Sequence, residues 1–223
     1  PGFDFDKAWK QVDSLQANGF REQLGEKLDE IFDAAKIENK AAHAYSAFSL
    51  KMNSVVANYD SIWVILNKEL NQKQEPKLES LLYAYKGNMV ANALQYQDRT
   101  DQTDVINQEA DLLPSEMSPV ILRELAYGAY FKALENKSLR EMALEDFKVL
   151  PISGSQEDSL FYKNLNIADV ITKDFIAFMV SDQGVEGVGS GDHQPTEYLS
   201  KKADFLKLSF KNTQSDSRLE KVA

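Results

Sequence analysis

The sequence predicts an all-α fold, an array of antiparallel helix pairs of tetratricopeptide-like or α-solenoid-like kind with right-handed solenoid character. Three observations predict it. Apolar residues recur at helical spacing along most of the chain. Hardly any stretch alternates with the period of two that a half-buried strand needs, and the Asn18-Gly19 dipeptide, a hairpin signal elsewhere, has helical period on both flanks. The opening pair, Phe5 to Glu38, spans about 34 residues, the length of a tetratricopeptide repeat, although that repeat's signature residues do not recur.

The elements follow in order. Phe5, Trp9, Val12 and Leu15 make one stripe on a first helix, with Asp4 and Asp6 at its start, where a helix favours negative charge. Asn18-Gly19 ends it, because Gly reaches a left-handed stop without a steric penalty. A second helix starts at Phe20 and places Leu24, Leu28, Ile31, Phe32 and Ala35 on one face. So short a connection makes the pair antiparallel. The third helix is expected over Ala41 to Ala57. A fourth runs through Ile62, Trp63, Ile65, Leu66 and Leu70, with Asp60 or Ser61 as its cap.

The fifth helix opens at Pro76, a favoured first-turn residue, and buries Leu78, Leu81, Leu82, Tyr85, Met89, Ala93 and Tyr96. Gly87, Ala91 and Ala93 are small enough to let a neighbouring helix approach closely. The chain turns polar over 97–104, and a weak helical stretch is expected over Val105 to Leu112. Ser118, followed by Pro119, caps a sixth helix carrying Ile121, Leu122, Leu125, Tyr127, Phe131 and Leu134. A companion helix is expected over Leu139 to Phe147, then a polar loop at Ser153 to Asp158 and a short turn at Leu160 to Leu165. Ile167, Val170, Ile171, Phe175, Phe178 and Met179 form a strongly apolar helix. A glycine-containing loop at Gln183 to Gln194 and a last helix at Thr196 to Phe210 complete the chain. The organisation expected is one helical domain over residues 3–210, with a sub-boundary near 98–118 and a polar tail at 211–223.

Composition narrows the function. The 223 residues are 43% hydrophobic and 27% charged, a globular balance that needs no metal or disulfide to make a core. The formal net charge is -10, and no basic run occurs, which argues against nucleic-acid partners and polybasic membrane anchoring. Cysteine is absent, so disulfides, thiolate nucleophiles, iron–sulfur clusters and cysteine zinc sites are excluded, while the compartment stays open. No apolar run reaches the ~20 residues that span a bilayer. The chain starts at Pro1 without an initiator Met, as a processed chain or an excised fragment would.

Chemical constellations are sparse. The two histidines are His43, in a helical Ala-Ala-His-Ala context, and His193, beside Asp192 in the glycine loop. His43 reads as structural or surface. His193 with Asp182, Glu186 or Asp192 matches no known cage spacing, and a solvated loop is preferred. The Gly184 to Gly191 loop lacks the Lys and Ser/Thr of a phosphate-binding loop. Asp98, Asp101 and Asp104 miss the 1, 3, 5 and 12 oxygen pattern of a calcium-binding EF-hand, which the central Gly of that loop would also have to accompany. No Gly-x-Ser-x-Gly elbow occurs. No catalytic, cofactor-binding or metal residue is therefore expected, and the chain reads as non-enzymatic. The one candidate binding feature is aromatic. Tyr83, Tyr85, Tyr96, Tyr127 and Tyr130, with Phe131 and Tyr162, either line a concave protein- or peptide-binding face or pack between helices, and helical spacing favours packing.

Several phrases resemble a known family. Phe5-Asp6-Lys7-Ala8-Trp9-Lys10-Gln11-Val12-Asp13-Ser14-Leu15 is similar to the "Y-x-K-x-W-K-x-V-x-x-L" opening of the N-terminal helical region of Bacteroidetes alpha-2-macroglobulin family proteins. Ile31-Phe32-Asp33-Ala34-Ala35-Lys36-Ile37-Glu38-Asn39 resembles that region's "I-Y-x-x-A-K-x-E-N". Leu81-Leu82-Tyr83-Ala84-Tyr85, Leu134-Glu135-Asn136 and the stretch Ile167 to Ile176 resemble later segments at the level of pattern. The resemblance implies a non-enzymatic scaffold or protein-interaction region at the N-terminus of a periplasmic or cell-envelope protease-inhibitor protein. Its signal peptide or lipid anchor would have been removed, and its partners would be neighbouring domains of the same polypeptide. No thioester or catalytic residue carries over. The alternative is a free-standing helical-repeat adaptor that binds a peptide or protein, with a cytoplasmic location left open.

Overall fold

The computed structural model describes residues 2–56, 58–96, 112–149 and 165–181, with the backbone alone given at Tyr96. Over these residues the fold is all-α. The helices are α1 (Phe5–Ala17), α2 (Arg21–Ile37), α3 (Ala41–Lys51), α4 (Tyr59–Leu70), α5 (Pro76–Tyr96), α6 (Pro119–Leu134) and α7 (Ile167–Val180). No strand occurs among the described residues, where β-pairing is limited to an isolated antiparallel bridge between Ala143 and Asn166.

Two similar stops shape the amino-terminal part. At the end of α1, Gly19 takes a φ of 71°, and the Phe20 amide donates back to the Leu15 carbonyl at 3.0 Å. At the end of α2, Asn39 takes a φ of 53°, and the Lys40 amide donates to the Ala35 carbonyl at 2.8 Å. A left-handed residue followed by a bond that spans the last turn satisfies carbonyls that a helix end would otherwise leave open. Gly accepts that φ without strain, and Asn tolerates it better than most other residues. Each stop folds the chain back at once, so α1 packs on α2 and α2 on α3.

The core mixes aliphatic and aromatic side chains along its whole length, with Trp9, Phe32, Tyr45 and Phe48 toward the start and Tyr130, Phe147, Phe175 and Phe178 toward the end. Leu28, Ile31, Leu66, Leu81, Leu82 and Leu122 are fully buried. Each such side chain contributes about 1.5–3 kcal/mol by leaving water. Among the described helices, α5 and α6 pack on each other most extensively. A Cβ on Gly87 would lie 2.9 Å from Cδ2 of Tyr130 and 3.0 Å from its Cγ, so the tyrosine ring rests directly on the α5 backbone. The smallness of Gly87 thus serves the close approach expected of it.

Three local expectations need correction. The third helix does not run as a plain α-helix to Ala57. It changes at Met52–Val56 to π-helix, where the Arg21 guanidinium donates to the Val55 carbonyl at 2.8 Å. The cap of α4 is Asn58, whose Oδ1 accepts from the Ser61 amide at 3.0 Å. Asp60 faces elsewhere, accepting from the amide and the hydroxyl of Ser115 at 3.0 and 2.7 Å.

The companion helix over Leu139 to Phe147 is replaced by two 3-10 turns, Lys137–Glu141 and Leu144–Asp146. Leu139 and Met142, then Leu144 and Phe147, are spaced by three and all buried, which suits a helix of three residues per turn. Tertiary partners take the backbone groups an α-helix would use. The Met142 carbonyl accepts from Ile167 at 3.1 Å, and the Lys148 amide donates to the buried Ser46 hydroxyl at 3.0 Å.

The other termini follow the sequence. Ser118 Oγ accepts from the Ile121 amide, with Pro119 in the first turn. Asn166 and Asp169 cap α7 reciprocally, each side chain accepting the other's amide at 3.0–3.1 Å. Most of the expected boundary at 98–118, the stretch Val105 to Leu112 except its last residue, the loop Ser153 to Asp158, the turn before Leu165, the glycine loop, the helix Thr196 to Phe210 and the tail 211–223 lie outside the described residues.

Candidate functional site

The tyrosines divide by position. Tyr85, on α5, is buried between helices, and its hydroxyl donates to Asn53 Oδ1 at 2.9 Å. Its ring meets Phe48 edge-on, with centroids 5.5 Å apart. Tyr130 is 2% exposed and lies between Gly87 and Phe175, stacked on the latter at 5.2 Å and 24°. Burial raises the pKa of both hydroxyls, so they stay neutral hydrogen-bonding groups.

Tyr127 and Phe131 complete the cluster, packing against Phe175 at 6.0 and 5.0 Å, with Tyr127 also 5.2 Å from Phe178. The structure thus brings Tyr127 and Tyr130 together against α7, as inter-helix packing. Tyr83 and Tyr127 are half-buried. Tyr85 and Tyr130 present no ring face to the outside. The Tyr96 side chain, Tyr162, His193 with its acidic neighbours, and Asp98, Asp101 and Asp104 lie outside the described residues.

Beside this cluster, Asp174 on α7 is half-buried, and burial raises its carboxyl from 3.8 to about 6, with Lys173 opposing. Its charge in turn contributes to the upward shifts of the Tyr45 and Tyr130 hydroxyls. An acid in such a place holds its proton into the mildly acidic range.

The most distinctive polar arrangement is at the amino-terminal end. His43, which the sequence left as a structural or surface residue, is half-buried at the start of α3. Trp9, 5% exposed on α1, donates its indole N–H to His43 Nδ1 at 3.0 Å. Phe5 stacks on the imidazole at 4.5 Å and 11°. Because the indole only donates, Nδ1 is the acceptor and the imidazole proton sits on Nε2. Burial lowers the His43 pKa, Lys148 and Lys40 lower it further, and Asp6 and Asp146 oppose them.

Next to this cluster a cleft of about 550 Å³ is lined by Asp6, Trp9, Lys10, Asp13, Leu50 and Lys148, among others. Its floor of Trp9 and Leu50 is nearly buried, and its rim mixes both signs of charge. Among the described residues that line it there is no Ser, Thr or His. Elsewhere a cation–aromatic contact places Lys86 Nζ 4.2 Å from the Trp63 ring, with Asn67 Oδ1 accepting at 2.8 Å. Burial lowers the Lys86 pKa there.

Sequence spacing did not reveal these pairings. Trp9 and His43 are 34 residues apart, and Tyr85 and Asn53 are 32 apart. Only the helix-pair length, which sets which turns meet, hinted at such separations. Among the described residues no group of His, Asp and Glu side chains could hold a metal ion, and no helix is long and apolar enough to cross a membrane. In comparisons with known proteins, no family model, no curated protein and no solved structure matches this chain.

Proposed function

We propose that this chain is a non-enzymatic helical scaffold and protein-interaction region, the N-terminal part of a cell-envelope macroglobulin-like protease-inhibitor protein. Its location would then be the periplasm or the cell envelope, and its partners neighbouring domains of the same polypeptide. The observation that supports this reading is what the motif residues do. Trp9 and Val12 of the opening phrase are buried, while Lys7, Lys10 and Asp13 around them are exposed.

In the second phrase, Ile31, Phe32 and Ala35 fill the core. Lys36 reaches across to Glu69 at 2.8 Å and Gln72 at 3.2 Å, with its ammonium 5.1 Å from the Phe32 ring. Glu38 accepts the Phe3 amide at 2.8 Å, and Asn39 makes the left-handed stop. Trp9, Val12, Ile31, Phe32, Ala35, Lys36 and Glu38 therefore tie their helices to the rest of the fold, while Lys7 and Lys10 stay exposed. A motif made of joints suits a region whose task is to hold a shape.

The testing measurement is the intact mass of the native protein from its source cells. A mass far above 25.2 kDa, with a processed or lipid-modified N-terminus, is the expected result. A mass near 25.2 kDa would sink the macroglobulin reading and leave the free-standing adaptor, to be pursued by peptide pull-down.

A further inference from the structure

We propose that Trp9 and His43 form a pH-released clasp that holds α1 on α2 and α3, closed while the imidazole is neutral and opened when it takes a proton. The inference stands apart from the function proposed above. It starts from hydrogen-bond chemistry. The indole N–H donates to His43 Nδ1 at 3.0 Å, and an indole nitrogen has no lone pair to accept in return. A proton taken from water onto His43 must go to Nδ1, since Nε2 already carries one. Two N–H groups would then face each other across the same gap, and one ring must turn away.

The rest of α1 offers little to resist this. Its buried residues are Ala8, Trp9 and Val12, so Trp9 is also its largest apolar anchor. Ahead of it, Phe5 stacks on the same imidazole and Phe3 packs edge-on against Phe5 at 4.8 Å. Moving the imidazole therefore disturbs a chain of three aromatic contacts. The remaining polar fastenings near the helix start are the Phe3 amide on Glu38 and the Lys148 ammonium 4.0 Å from Asp6.

The charged groups facing His43 are Asp6 on α1, Lys40 before α3, Asp146 at the end of the second 3-10 turn and Lys148 just after it. The two lysines disfavour the imidazolium and the two aspartates favour it. Burial adds to the lysines, so the folded form holds the proton less well than the unfolded chain. The sign follows. Above the unfolded value of 6.5 both forms are neutral and the clasp contributes in full; it is lost as pH falls below 6.5 and through the lower folded value. Release would bare the apolar faces of α2 and α3 that Trp9 and Val12 now cover.

Amide hydrogen exchange on the whole chain at pH 7.5 and pH 5.0, corrected for intrinsic rates, tests the clasp, with the His43 ring nitrogens followed by NMR. In the wild type, α1 protection is expected to fall about fivefold or more at the lower pH, the worth of one net hydrogen bond, while α5 protection holds. At pH 7.5 the ring is expected as the Nε2–H tautomer. His43→Gln, whose amide oxygen can accept the indole proton, should abolish the pH dependence of α1. Trp9→Phe, which keeps a ring but removes the donor, should abolish it as well and serves if the first variant fails to fold. An Nδ1–H tautomer at pH 7.5, equal α1 protection at both pH values, or the same acid loss in either variant would overturn the proposal.

Discussion

Helices α1 and α7 have nearly the same length, 13 and 14 residues, yet they are retained by different forces. α7 buries seven residues, among them Ile167, Ile171, Phe175, Phe178 and Met179. Its aromatic rings interlock with Tyr127, Tyr130 and Phe131 of α6. α1 buries three, with Phe5 and Leu15 partly buried against the core, and adds directional contacts at its edge, Trp9 to His43 and Phe3 to Glu38. Apolar burial is non-directional and changes little with pH, whereas a bond between an indole and an imidazole depends on one proton. The same secondary structure can thus sit at opposite ends of a molecule's range of local stability.

The largest test of this contrast is Tyr130→Ala. Tyr130 is sandwiched between the α5 backbone and Phe175, and its loss leaves a cavity at the α5–α6–α7 junction. Denaturant unfolding should show a loss of about 3–5 kcal/mol, the usual cost of deleting a buried aromatic. A loss under about 0.5 kcal/mol, the range of ordinary surface changes, would show that the aromatic cluster is not what holds α7.

Gly87→Ala comes next. Its new Cβ would meet ring carbons of Tyr130 at 2.9–3.1 Å, and that ring is held from behind. Overpacking, less the gain in helix propensity, should leave a net loss of about 1–2 kcal/mol. In a Tyr130→Ala background the loss should disappear or reverse, because the clash has no partner.

Asp174→Asn probes charge at the same junction. The wild-type carboxyl is raised to about 6, so the folded form binds its proton more tightly than the unfolded chain, and stability falls as pH rises from about 4 to about 6. The amide mimics the protonated acid. At pH 7 the variant should be more stable by about 1–2 kcal/mol, the shift being discounted for partial exposure. The advantage should fade toward pH 4; an advantage that does not change with pH would assign it to something other than the charge.

Gly128→Ala should have the smallest effect, and in the opposite direction to Gly87→Ala. Gly128 lies on the exposed side of α6 with nothing within 4 Å of an added Cβ. Thermal or chemical unfolding should show a gain of about 0.4–1 kcal/mol from a helix-interior glycine replaced at an open site. Two glycines on facing helices then separate a packing requirement from a propensity weakness.

Much of the fold was legible because local signals and tertiary packing agreed. The stripe of Leu24, Leu28, Ile31 and Ala35, the Pro76 start of α5, the Ser118 cap and the apolar face of α7 all lie where the sequence pattern places them. Legibility failed where tertiary partners took over backbone groups. Leu139 to Phe147 has the apolar content of a helix, but Ile167 claims the Met142 carbonyl and Ser46 the Lys148 amide just past it, and two 3-10 turns form instead. Asp60 has the chemistry of a cap, yet Ser115 occupies both its oxygens and the cap falls to Asn58. Tyr85 lies on the face that the pattern assigned to packing, whereas Tyr130 was absent from the stripe read for α6, whose buried face instead runs through Leu122, Ala126, Ala129, Tyr130 and Ala133. What no pattern could supply was the partner of His43, because a single imidazole carries no spacing signal.

The contrast between α1 and the α5–α6–α7 junction is tested most directly by native-state hydrogen exchange at pH 7.5 under increasing, sub-denaturing urea. The predicted result is that α1 amides exchange through a small, weakly urea-dependent opening well below the global free energy, while those of α5, α6 and α7 exchange only with global unfolding. If α1 amides followed the same urea dependence and the same free energy as those of α5, the two regions would be one cooperative unit, and the proposed difference between a clasped helix and a packed one would be wrong.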